Sequence, residues 1–153
     1  MKSILFAILF PFLVMASNNE NNPDTGYMHI QYQGDPSRPY PEVIFYLAGS
    51  LDIPCSNDTT HDGFFVHKIE VTEKEFNDVR KSIEESKLEI NPPVIPDPIA
   101  FAIVRNCERK VIFDRYIGSI RETFDKIVKQ FRGSNKQELV KKYLDGILIS
   151  LPR

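Results

Sequence analysis

The sequence predicts an α+β domain: a mainly antiparallel sheet of about five strands with three helices, in the order β-β-β-α-β-β-α-α. Three observations predict it. Short runs rich in β-branched and aromatic residues, such as Glu42-Val43-Ile44-Phe45-Tyr46-Leu47, are bounded by turn residues. Longer stretches carry apolar residues at helical spacing behind helix-start signals. One helical stretch follows the third strand and two close the chain, which suits an antiparallel sheet with helices packed on one face.

Residues 1–17 are read as a secretory signal peptide. Lys2 precedes the apolar run Ile4–Val14, and small residues close it, with cutting expected after Ala16 or Ser17. The run is shorter than the roughly 20 residues that a membrane span needs. The alternative is an uncleaved N-terminal anchor. The mature chain is thus expected to be secreted or periplasmic, without a membrane span. Residues 18–26 are polar and Asn-rich and are assigned to a disordered start. Residues 27–153 form a single α+β domain, one ordinary domain in length.

The elements follow in order. Tyr27–Gln33 has strand formers in loose alternation, and Gly34–Pro41 is a proline-containing loop. Glu42–Leu47 is a central strand. A polar loop leads to Phe64–Val71, whose later part places His67, Ile69 and Val71 on one face and Lys68 and Glu70 on the other. Thr72 and Glu75 form a capping box for a helix running to about Lys87, with Phe76, Val79 and Ile83 inward. Asn91–Pro98, with four prolines, reads as an extended polyproline-type return to the sheet. Ile99–Val104 and Lys110–Tyr116 form a hairpin around Cys107. Ser119 with Glu122 is a second capping box; Ile120, Phe124, Ile127, Val128 and Phe131 make the stripe of the helix it opens, which ends at Gly133. Asn135 with Glu138 opens the third helix, with a stripe from Leu139 to Leu148 that Gly146 weakens slightly.

Charge is unevenly distributed. Residues 18–98 hold fifteen acidic and six basic side chains, and residues 99–153 hold six and twelve, so the halves carry −9 and +6. Either the halves complement each other within one fold or the basic half docks an acidic partner. The basic residues are interleaved with acids, not clustered, so no nucleic-acid partner is indicated.

Cys55 and Cys107 are the two cysteines, and in an exported chain they are expected to form one disulfide. Such a link removes about 4 kcal/mol of unfolded-state entropy on the chain-entropy model. No Cys-x-x-Cys, Gly-x-Ser-x-Gly or phosphate-binding glycine motif occurs, and no cofactor is indicated. The histidines His29, His61 and His67 lack paired metal-ligand spacing, although His29 and His67 could meet across strands. No metal site is assigned. The loop from Asp52 to Gly63 concentrates polar groups, and Asp52, Asn57, Asp58, His61 and Asp62 are its candidate partner- or metal-contact residues. Asn57-Asp58-Thr59 is also an N-glycosylation sequon.

With no catalytic signature, the expectation is a non-enzymatic binding or interaction domain, inhibitor- or immunity-like in size and export, whose partner is another protein. The rival expectations are a small metal-dependent or hydrolytic enzyme using the 52–63 loop, and a structural component of an envelope or extracellular assembly.

Overall fold

The computed structural model describes residues 24–52, 55, 65–86 and 93–152. The predicted leader and nearly all of the polar loop after Asp52 lie outside this set. Five strands, β1 (Gly26–Tyr32), β2 (Glu42–Leu47), β3 (Val66–Val71), β4 (Val94–Arg105) and β5 (Glu108–Tyr116), form one sheet in the order β3-β2-β1-β4-β5. The helices are α1 (Glu73–Glu84), α2 (Ile117–Gln130) and α3 (Gln137–Ser150). Element order and α+β class are as the sequence predicts. The sheet is antiparallel except where β2 pairs with β3. A tight turn cannot join parallel neighbours; residues 48–65 make the crossover.

Strand alternation gives the sheet two different faces. Met28 and Ile30 of β1, Val43 and Phe45 of β2, Ile69 of β3, and Ile99, Phe101 and Ile103 of β4 all point to one face. There they meet Phe76, Val79 and Ile83 of α1, Ile120, Phe124 and Ile127 of α2, and Val140, Leu144 and Ile147 of α3. Phe45 stacks on Phe131 with centroids 5.8 Å apart, and Phe101 meets Phe124 edge-on at 6.2 Å. Each such pair adds about 0.5–1.5 kcal/mol beyond its buried area.

The second face carries a smaller cluster of Tyr27, Ile44 and Val104, all buried, with Leu51 and Cys55 of the β2–β3 crossover packed against it. The crossover is fastened at two points. Ser50, buried in a 3₁₀ turn over Ser50–Asp52, accepts a hydrogen bond from Gly26 N at 2.9 Å. Cys55 is disulfide-bonded to Cys107, with Cα atoms 5.3 Å apart. A Cβ at Gly26 would come within 2.9 Å of the Phe76 ring, so any larger residue there would displace that buried side chain.

The α1 capping box is present: Thr72 Oγ1 accepts from Glu75 N at 3.2 Å, and Glu75 Oε2 accepts from Thr72 N at 2.8 Å. Other local expectations need correction. The α1 helix stops at Glu84, with Glu85 N donating to Lys81 O. No Ser119 box opens α2. It begins two residues earlier, at Ile117, and buried Asp114 organises the start by accepting from Tyr116 N at 2.8 Å and from Ser119 Oγ. Nor does Asn135 cap α3, whose N-cap is Lys136 without a side-chain bond. Leu139, expected inward, is exposed.

The proline stretch before β4 also departs from expectation. Val94 already pairs with Tyr116, and the register slips before Ile99 pairs with Asp114. Pro96 and Pro98, which cannot donate to a ladder, fall in that slip, where no donor is needed. Among the described residues, pairing also begins before Tyr27. Thr25 exchanges two hydrogen bonds with Asn106, and Gly26 pairs with Arg105, so pairing with the hairpin reaches into the polar start.

Candidate interaction surface

Of the candidate loop residues, Asp52 is exposed at the end of the 3₁₀ turn. Asn57, Asp58, His61 and Asp62 lie outside the described residues. The predicted disulfide is present between Cys55 and Cys107. His29 and His67 do not meet: β2 lies between their strands, and they point to opposite faces. On the second face, buried His29 donates from Nε2 to Glu42 Oε2 at 2.7 Å. On the helix-covered face, His67 stacks on Tyr143 of α3 at 3.9 Å between centroids, nearly parallel. Burial, and then the nearby Lys142 ammonium, hold His67 below the ordinary histidine pKa. Among the described residues, no three His, Cys, Asp or Glu side chains gather into a metal-holding group.

An open groove of about 520 Å³ lies under the β1–β2 loop, with Tyr40, Phe65, Arg38 and Glu42 in its wall. The loop is pinned from inside. Tyr32 packs edge-on against Tyr40 at 4.7 Å and donates to Asp97 Oδ2 at 3.3 Å. Burial, and then the Asp97 carboxylate, hold the Tyr32 phenol above its usual range.

The more distinctive surface is on β5. The β4–β5 hairpin turns on Asn106 and Cys107, both at positive φ (48° and 64°), as a two-residue primed turn requires. From that turn, alternation sends Arg109, Val111, Phe113 and Arg115 to the second face in one row. β5 ends the strand order, so the row borders the sheet. Phe113 is 62% exposed and stands opposite Ala100, whose methyl cannot cover a phenyl ring. Val94, 57% exposed, joins Phe113, Arg115, Pro98 and Tyr116 around an open groove of about 600 Å³. The proline-marked register slip in β4 shapes this groove.

Charges around the row are distributed unequally. Lys110, on the other face, is held by Glu84 at 2.7 Å, and Arg105 by Glu73 at 2.9 Å and Asp24 at 3.0 Å. Asp114 is buried against Ser119, and Asp97 accepts from Tyr32. Among the described residues, neither Arg109 nor Arg115 forms an ion pair. The row therefore offers an exposed aromatic and a valine between two guanidinium groups that have no ion pair among the described residues. In the sequence Lys110–Tyr116 is marked as a strand, but this row is not. The signal was the alternation Arg109-x-Val111-x-Phe113-x-Arg115, which cannot say which face the helices cover.

No protein-family model, curated protein or solved structure matches the chain.

Proposed function

We propose that this chain is an exported, non-enzymatic binding domain that engages another protein through the second-face row of β5. The single observation that carries the reading is Phe113: a phenyl ring 62% exposed on a border strand, flanked in its row by Arg109 and Arg115. Aromatic residues and arginine are the types that anchor protein interfaces, and exposed apolar clusters rimmed by polar groups mark such sites. Export rests on the leader composition of residues 1–17 and fits the Cys55–Cys107 disulfide, a link that persists in oxidising compartments. No helix among the described residues is long and apolar enough to cross a membrane.

The row begins two residues after Cys107, so the disulfide that fastens the crossover also steadies one end of the surface. The test is comparative capture from the native compartment with the wild-type chain and with Phe113→Ser. A specific protein retained by the wild type should be lost with the variant, while their thermal unfolding stays the same. Equal retention by both refutes the placement.

A further inference from the structure

Taking that reading as its premise, we infer that the partner presents an extended segment with a carboxylate at each end and apolar residues between, aligned along β5. Arg109 and Arg115 are six residues apart on one strand, so their Cα atoms are separated by about 20 Å at the rise of an extended chain. Val111 and Phe113 stand between them on the same face. An extended ligand repeats its side chains at the same interval. Carboxylates at its positions i and i+6 can each meet a guanidinium, while i+2 and i+4 meet Val111 and Phe113. A helical ligand needs about thirteen residues to cover that span, and its side-chain repeat does not match.

Charge complementarity selects the acidic ends. The two arginines have no anionic partner among the described residues, and Glu84 already holds Lys110. Guanidinium groups accept carboxylates in a planar, two-bond geometry. A polyphosphate chain is a poorer match, because it wants closely spaced cations, and here an aromatic and a valine separate them. The groove walled by Val94, Pro98 and Tyr116 extends the apolar middle at the Arg115 end.

Fluorescence anisotropy with the full chain, disulfide intact, tests this using the labelled peptide Glu-Ser-Val-Ser-Leu-Ser-Glu. Binding should weaken with added salt, fall about tenfold in Phe113→Ser, and fall several-fold in Arg109→Gln and in Arg115→Gln. The same peptide with lysine at both ends should not bind. Equal binding of the lysine-ended peptide, an unaffected Phe113→Ser, or displacement of the acidic peptide by phosphatidylglycerol vesicles overturns the inference. A photoreactive benzoylphenylalanine in place of Phe113, irradiated in the producing cells, separates the two levels of claim. A cross-linked acid-ended apolar segment supports both. A cross-linked segment of other chemistry overturns the inference and leaves the proposed function standing. No protein cross-link overturns both.

Discussion

Removing the Cys55–Cys107 link tests how the second face is held. The cysteines are 52 residues apart, and a loop of that size removes about 4 kcal/mol from the unfolded state in the chain-entropy model. For a domain of this length that corresponds to about 12–16 °C in melting temperature. The comparison is thermal and urea unfolding of the oxidised wild type against Cys55→Ala/Cys107→Ala, followed by far-UV circular dichroism. A second double variant, Cys55→Ala/Cys107→Gly, separates chain entropy from backbone strain. Cys107 sits at φ 64°, which a Cβ disfavours, so glycine should recover about 1 kcal/mol over alanine. The freed crossover should also expose the Tyr27–Ile44–Val104 cluster, read as increased binding of a hydrophobic dye. A loss below about 1 kcal/mol refutes the staple as a main constraint on the chain. A glycine variant no more stable than the alanine one refutes the turn argument.

Other outcomes follow from single residues. The His67 pKa is lowered by burial and Lys142, so the unfolded chain binds its proton more readily: this contribution is complete above the ordinary histidine pKa of about 6.5 and is lost as pH falls through the folded value. Urea midpoints measured down to acid pH should show the loss in the wild type and a flatter profile in His67→Phe, which keeps the stack on Tyr143; identical profiles would remove His67 as the cause. Asp114→Ala leaves Tyr116 N without its acceptor and should cost about 2–3 kcal/mol, against about 1 for Ser119→Ala. Equal losses in urea titrations would mean that Asp114 does not organise the start of α2. Gly146→Ala should add about 1 kcal/mol, since it lies inside α3 and, beyond its chain neighbours and the helix's own backbone, nothing comes within 4 Å of the new Cβ; an unchanged or lower melting temperature would show that the site is more crowded than that.

How far the sequence could be read depended on the range of each signal. The Thr72–Glu75 box was legible because both its bonds lie within four residues. The Ser119–Glu122 pattern had the same residue types but misled, because Asp114, five residues before Ser119, supplies the contact from the end of β5. The prolines at 96 and 98 signalled a missing ladder donor; that the strand would tolerate them through a register slip depended on Tyr116 pairing with Val94. His29 and His67 were both legible as strand residues, but their separation required the strand order.

The sequence by itself determined element types, their order, the inward stripes of α1 and α2, and the only cysteine pairing available. These follow from local periodicity, capping chemistry and the count of two thiols. Tertiary structure decided the parallel β2–β3 pair, the packing of Leu51 and Cys55 on the second face, and the exposure of Phe113. Each depends on which strands become neighbours and which face the helices take. A period of two marks alternate residues as sharing a side; only packing settles which side meets water.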